Sequence, residues 1–317
     1  MVHEPETLQK AIRYFSDPDN CLNYLATKRW KDGVPNCPTC GSENVSFVPS
    51  RRLWQCKTRH PKAQFSIKVG TIFEDSPIGL DRWLTALWLL ANCKNGISSY
   101  EIARDLGVSQ KSAWHMMHRV RLAVQAGSLG MLSGEVEIDE TFIGGKARNM
   151  HLRDRRRKIS APGPKGKAVV MGILERAGEV RTFVVPGTWR KYLKPRIQEH
   201  VEAGSASFTD ELKSYRGLES DYTHQVIDHT VEYVRGNVHT NGMENFWSLH
   251  KRGLHGTYVS VEPFHLFRYI DEQAYHFNKR KLTDAERFSI AVEGIVGKRI
   301  TWNQLTGKLR DNQASVN

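Results

Sequence analysis

The stretch that decides the fold is Gly134–Gly145, GEVEIDETFIGG, an alternating strand that ends in paired glycines and carries Asp139. Two more acidic residues sit in short contexts far away: Asp210 in ASFTDELKSY (206–215) and Glu244 in NGMENFWSLHKRG (241–253). The first two read as strand ends and the third as part of a helix. Lys251 follows Glu244 by seven residues, two turns along the same helical face. Three carboxylates gathered from distant segments are what a pair of divalent cations needs to work on phosphodiesters. Hard oxygen ligands of this kind suit Mg²⁺ or Mn²⁺. Glu137, Glu140 and Glu211 compete as neighbouring acids, and Glu137 shares a strand face with Asp139.

Working outward, AVVMGILER and EVRTFVVP form a hairpin around a glycine turn, and residues 189–203 read as a helix. SFTD and Gln225–Asp228 are short strands, and a last helix runs from near Thr240 to about Gly253. The expected order is β-β-β-α-β-α-β-α over residues 134–282, an α/β domain whose order resembles the ribonuclease H-like fold. A basic loop, KARNMHLRDRRRKISAPGPKGK, interrupts it after the first strand. Its Arg155, Arg156 and Arg157 are of the type that contacts DNA backbone, or else simply solvate a linker.

At 317 residues the chain exceeds what one core usually supports, so two or three domains are expected. No apolar run reaches the length of a membrane span, and MVHEPETLQKAIRYF lacks the apolar core of a signal peptide. A cytoplasmic protein is therefore expected. Forty-six Lys and Arg against 34 Asp and Glu give a net charge of +12, which favours a polyanionic partner. Five cysteines, an odd number with three clustered, suit a reducing compartment and a metal better than a disulfide framework.

That cluster lies in residues 31–75, behind a helical lead-in (1–30). Cys37-Pro-Thr-Cys40 opens a knuckle, Cys56 follows in LWQC, and His60 stands four residues later in CKTRH. Zinc accepts three cysteines and one histidine as readily as four cysteines. A ribbon this small depends on metal binding for its folding energy. Cys21 or a water is the alternative to His60, and Cys21 and Cys93 otherwise read as small core residues.

Residues 76–128 switch to helical periodicity. Leu80, Trp83, Leu84, Leu87, Trp88 and Ala91 make one apolar stripe, and Ser98-x-x-Glu101 spells a capping box. Gly107 and Ser109 then set a turn and a new N-cap. The spelling is that of a helix-turn-helix whose last helix enters a major groove. Gln110, Lys111, Ser112 and His115 would face DNA, while Ala113, Met116 and Val120 would face the core; a helical hairpin that merely packs is the alternative. Residues 283–317 read as a polar helical tail.

Four contexts resemble one known family: QFSIKVGTIFEDSPIGLDRW (64–83), EIDETFIGGK (137–146), FTDELKSY (208–215) and VHTNGMENFWSLHKRGLHGTY (238–258). They are similar to the DDE-class transposases of bacterial insertion sequences, of the ISXO-like type with an N-terminal zinc ribbon. The resemblance implies a ribonuclease H-like catalytic domain with Asp139, Asp210 and Glu244 as its metal-binding triad and Lys251 as the lysine that follows it. It also implies binding to double-stranded DNA, both transposon ends and target, and a homo-oligomer on that DNA. The implied chemistry is cleavage at the inverted repeats and attack of the freed 3′-hydroxyls on target DNA, with no covalent protein intermediate. A recombinase using such an intermediate would need a nucleophile, for which Tyr258 is the nearest candidate; aromatic packing is its other reading.

Overall fold

The computed structural model describes residues 4–125, 130–145, 151–153, 156, 166–210, 213–215, 217–227 and 239–307. They divide into two compact units, Met1–Ala126 with Lys281–Asn317, and Gly127–Arg280.

The first unit opens with two capped helices. Thr7 caps α1 (Leu8–Phe15), and Asp17 caps α2 (Pro18–Arg29), with Pro18 in the first turn, where its missing N–H is harmless. A three-stranded antiparallel ribbon follows, β1 (Val45–Val48), β2 (Leu53–Cys56) and β3 (Gln64–Phe65), in that spatial order. Helix α3 (Leu80–Asn92) buries the expected stripe, with Trp83, Leu84, Leu87, Trp88 and Ala91 all in the core. Ser98 and Glu101 form a complete capping box for α4 (Ser99–Leu106), and Gly107 ends it at φ +61°, the left-handed conformation that suits glycine. Ser109 caps α5 (Gln110–Val124).

The expected polar tail is helical but is not a tail. Helix α9 (Asp284–Glu293) returns to this unit and buries Phe288, Ala291 and Val292, followed by Ile295. The Phe288 ring meets Trp88 at 4.9 Å and both Phe15 and Tyr24 at 5.8 Å. These apolar positions fall at i, i+3, i+4 and i+7, a stripe only two turns long that follows the charged first turn of Asp284, Glu286 and Arg287. Lys298 closes the arrangement by donating to the carbonyls of Leu122 and Gln125 at the end of α5, where a cation suits the helix dipole. A last turn of helix, α10 (Trp302–Leu305), buries Leu305.

The second unit is a mixed five-stranded sheet in the order β6-β5-β4-β7-β8. Strands β4 (Glu135–Ile143), β5 (Ala168–Glu175) and β6 (Val180–Val185) are antiparallel neighbours, while β7 (Ala206–Asp210) and β8 (Thr223–Ile227) run parallel to β4. One face of the sheet packs Val136, Ile138, Met171 and Ile173 against Leu193 and Ile197 of α6 (Arg190–His200). On the other face Val170, Leu174 and Val180 pack against Met243, Phe246 and Trp247 of α7 (Asn241–Gly253) and against Leu266, Ile270 and Phe277 of α8 (Leu266–Asn278). Two covered faces explain why β5 reads as a nearly continuous apolar run.

Two expectations about this unit need correction. Between β7 and β8 the described residues form one 3₁₀ turn, Lys213–Tyr215, in place of an α-helix. Only 12 residues separate Asp210 from Thr223, and Gly217 at φ +84° bends the chain among them. Asp139 lies in the middle of β4, not at its end. Gly172 is its cross-strand partner on β5, and a Cβ there would stand 2.1 Å from Met243 Cε and 2.7 Å from the Trp247 ring. Glycine at this position lets α7 lie directly on the sheet beside Asp139.

Candidate functional site

Asp139 and Asp210 meet because of strand register. Parallel pairing of β4 with β7 ends at Glu137 opposite Phe208. Each aspartate is two residues further on, so both point to the α7 face just where the two strands part. Glu140, the next residue on β4, joins them: one carboxylate oxygen from each of Asp139, Glu140 and Asp210 lies within 4.8 Å of the others.

Asp139 is held on both sides. Its Oδ2 accepts from Trp247 Nε1 at 3.0 Å and its Oδ1 from the Glu140 backbone N–H at 2.8 Å. Burial, and then the Asp210 charge, push its carboxyl up to about 6. Burial raises Glu140 further, to about 8, although the buried Tyr215 hydroxyl donates to it and works in the opposite direction. Crowded, desolvated carboxylates of this kind are relieved by a cation, which inverts the local electrostatics. The donor set, all hard oxygen, fits Mg²⁺ or Mn²⁺ better than a soft metal.

Glu244 lies outside that three-carboxylate set. It is exposed in the first turn of α7, and its charge acts on Asp139 as the smallest of the raising influences. Lys251 is exposed two turns along and lines a groove beside the end of β4. Asp139 and Asp210 are thus brought together, Glu244 flanks them, and Lys251 stands further along the same helix. Glu140 is the residue that sequence reasoning does not choose. Strand alternation turns it away from Asp139's face, yet its carboxylate comes within 4.8 Å of both aspartates beyond the last β4–β7 pair.

Glu137, the competitor on Asp139's own face, has another employment. Its side chain is 1% exposed and pairs with Arg176 Nε at 2.9 Å. Its second oxygen accepts the Met243 backbone N–H at 2.9 Å, one of the orphan donors at the start of α7. Arg176 also donates to the His239 carbonyl, tying the residues before the helix to the same network. Glu137→Gln leaves Arg176 with a half-empty partnership in a buried site. A loss of about 3 kcal/mol is expected, the lower end for a broken buried pair because Glu135 still reaches Arg176. Differential scanning calorimetry should show the second unit melting about 6–12 °C lower; an unchanged transition would remove Glu137 from this role.

In the first unit, ligand atoms of Cys37, Cys40, Cys56 and His60 all lie within 4.8 Å of one another. Cys37 Sγ is 3.4 Å from His60 Nε2, and Cys40 Sγ is 3.7 Å from Cys56 Sγ. His60 Nδ1 lies 2.7 Å from the Pro61 carbonyl, which can only accept. The proton therefore sits on Nδ1 and the lone pair of Nε2 faces the thiols, as a metal-ligating imidazole requires. Burial works to raise the Cys37 thiol, but the backbone N–H groups of Cys40 and Thr39 outweigh it and leave it below the ordinary value. Such a Cys₃His set fits tetrahedral zinc. Cys21 is elsewhere, buried with its thiol on the Phe15 carbonyl.

On α5, Ala113, Met116 and Val120 are buried as expected. Of the residues expected on the opposite side, Lys111 is exposed, with its ammonium 4.8 Å from the Trp302 ring centre. The Gln110 amide donates to Ser99, and Ser112 shares the Ser109 cap. His115 is half-buried against Trp302, 5.5 Å between rings, and burial drives it down to about 4. Arg156 is exposed, while Arg155 and Arg157 lie outside the described residues, as does Glu211. Tyr258 packs on Tyr269 and donates to Glu272 at 2.6 Å, the packing role of an aromatic beside a helix end. No helix among the described residues is long and apolar enough to cross a membrane.

Comparison with known proteins bears on both sites. The ISXO2-like transposase domain matches residues 131–278, the span that holds Asp139, Asp210, Glu244 and Lys251. A transposase zinc-ribbon domain matches residues 16–58, which includes the three clustered cysteines and stops two residues short of His60. A protein of transposable element ISH50 from Halobacterium salinarum is 28% identical over 256 residues, covering 77% of this chain and 85% of its own length. A transposase-like protein of Haemophilus influenzae is 31% identical over 105 residues, 33% of this chain and 85% of its own. The Mos1 strand transfer complex is a structural match at 13% identity, covering 67% of this chain and 78% of that one; its TM-score of 0.25 is too low to bear on the argument. The two domain matches and these relatives, set beside the carboxylate and thiol clusters, place the chain in the family of ISXO2-like transposases that carry a transposase zinc ribbon.

Proposed function

We propose that the chain is a DDE transposase that cuts the terminal inverted repeats of its own element and joins the freed 3′-hydroxyls to target DNA. The observation that carries this reading is the meeting of Asp139 and Asp210 at the parting ends of two parallel strands, with the helix of Glu244 fixed over them by Trp247. Asp139, Asp210 and Glu244 would hold two Mg²⁺ or Mn²⁺ ions, within a domain whose strand order supports a ribonuclease H-like fold. The chemistry that such a pair supplies is activation of the attacking oxygen and stabilisation of the leaving one.

The chain's own residues do the rest. The Trp247 and Glu140 N–H groups fix the Asp139 carboxylate in one orientation, so little reorganisation is needed when DNA arrives. Lys251 contacts a phosphate near the break. Cys37, Cys40, Cys56 and His60 hold a structural zinc that shapes the ribbon. Helices α4 and α5 act as a helix-turn-helix, with Gln110, Lys111 and Ser112 towards the major groove and Arg155, Arg156 and Arg157 on the backbone. His115, neutral at working pH, contributes hydrogen bonding and not charge. Pairing two DNA ends calls for more than one copy on the DNA.

The test is strand joining. Duplex carrying the repeats that flank the gene, labelled at the 5′ end of the strand whose 3′-hydroxyl is freed, is incubated with protein, Mg²⁺ and a supercoiled plasmid. Label should pass into the plasmid and remain extractable from protein by phenol. Label trapped on protein would point to a covalent intermediate, and binding with neither cleavage nor joining would point to a DNA-binding regulator.

A further inference from the structure

A groove of about 520 Å³ runs beside the end of β4, lined by Phe142, Lys167, Lys251, Leu254, His255 and Val261 among others. None of its lining residues among those described is acidic. Lys167 and Lys251 are both exposed, and neither takes part in an ion pair among the described residues. Gly144 brings Lys167 close: a Cβ there would lie 3.3 Å from the Lys167 Cα. The far wall follows a π-helical turn, Leu254–Tyr258, and is completed by Val259, a β-branched residue at φ +61° and 77% exposed. Such a conformation is costly for valine, and wide turns of this kind concentrate at functional sites.

The position of the groove follows from the register of α7 on the sheet. Met243 binds Glu137 and Trp247 binds Asp139. Four helical residues advance about 6 Å and two strand residues about 6.6 Å, so helix and strand keep step. Continuing along both, Lys251 lies about 6 Å beyond Trp247 and Phe142 about 10 Å beyond Asp139. DNA rises about 3.4 Å per nucleotide, which makes these distances about two and about three nucleotides.

We propose that this groove holds the cut DNA strand about two to three nucleotides from the reacting phosphate, with Lys167 as a phosphate contact that partners Lys251. The sugar and base edge of that nucleotide rest on Phe142, Leu254 and Val261. The proposal rests on the transposase reading and adds to it a binding groove and Lys167. Unpaired lysines over an apolar floor match a strand that presents charge on one side and apolar surface on the other.

The experiment uses full-length protein and repeat-end duplexes in which one phosphate at a time is replaced by a neutral methylphosphonate. Wild-type binding should weaken when the neutral linkage lies two to four nucleotides from the cut. Lys167→Ala should abolish that sensitivity and reduce the salt slope of binding by about 0.9, a three- to fourfold change between 50 and 200 mM salt. Lys167→Arg should restore both. Lys167 is exposed, so folding is not at issue. If Lys167→Ala keeps the wild-type pattern while the ends are still cut, the groove assignment is wrong and the transposase reading survives. If wild-type protein does not cut the ends at all, both are wrong.

Discussion

Asp139→Asn is expected to bind repeat-end DNA like the wild type and to cut it at least about 10³-fold more slowly. Charge stabilisation by bound cations contributes several kcal/mol to lowering the barrier, and each ~1.36 kcal/mol is a factor of ten. Asparagine keeps the size of aspartate and can still accept from Trp247 Nε1, so the helix over the site should not shift. What it loses is the charge that holds a divalent ion. Single-turnover cleavage in Mg²⁺ measures this directly, and cleavage that survives the substitution would sink the assignment of the site.

The same substitution should stabilise the metal-free protein. Asp139 is raised to about 6, chiefly by burial and then by Asp210. A carboxyl whose folded value lies above its unfolded one destabilises the fold wherever it is ionised in both states. That penalty is absent below about pH 4, develops between about 4 and 6, and is fully present above about 6. In EDTA at pH 7.5, Asp139→Asn should therefore be more stable than wild type by about 3 kcal/mol, and the difference should vanish near pH 4. Equal stability at both pH values would show that neither burial nor the Asp210 charge penalises the ionised Asp139 carboxylate. Catalytic groups that strain the fold they sit in are a common compromise.

Much of this is legible in the chain, for physical reasons that also mark where legibility stops. Local signals carry the capped helices: Ser98 with Glu101, Gly107 and Ser109 act within a few residues and need no tertiary partner. The thiol cluster is readable because metal-ligand spacing is itself local. Asp139 and Asp210 stand out in their contexts, but the register that joins them is a long-range property of β4 and β7. Nothing local separates Glu137 from Asp139, since both occupy one strand face. Arg176 and the start of α7 separate them, 39 and 106 residues away. Helix α9 escapes a reading of the sequence for a related reason. Its apolar stripe is short, and its burial depends on Phe15, Tyr24 and Trp88 from the other end of the unit. Lys111 and His115 show the same limit, because Trp302 reaches them from a segment whose return the sequence does not announce.

Removing metal from the ribbon should have the largest effect on folding. Its strands hold four, four and two residues, too few to define a core by themselves. The aromatic group around Trp54 helps: Trp30 lies at 4.9 Å, Phe47 at 5.0 Å and Phe65 at 6.0 Å. Phe47 is nevertheless 42% exposed, so this cluster contributes a few kcal/mol at most. Zinc binding to a ribbon of this kind contributes about 10–16 kcal/mol at pH 7, so the metal outweighs the aromatic cluster several-fold. Cys40→Ser, or a strong chelator on the wild type, should unfold residues 31–75 and release Trp30 and Trp54 to water, seen as a red shift in tryptophan emission. His60→Ala should weaken zinc binding by a factor of about ten or more yet leave the ribbon folded at saturating zinc, since a water can take the fourth position. The carboxylate site lies in the other unit, so the chelated protein, resupplied with Mg²⁺ alone, should keep the melting transition of that unit. A ribbon that stays folded without metal, or a His60→Ala variant with unchanged zinc affinity, would remove the four-ligand assignment.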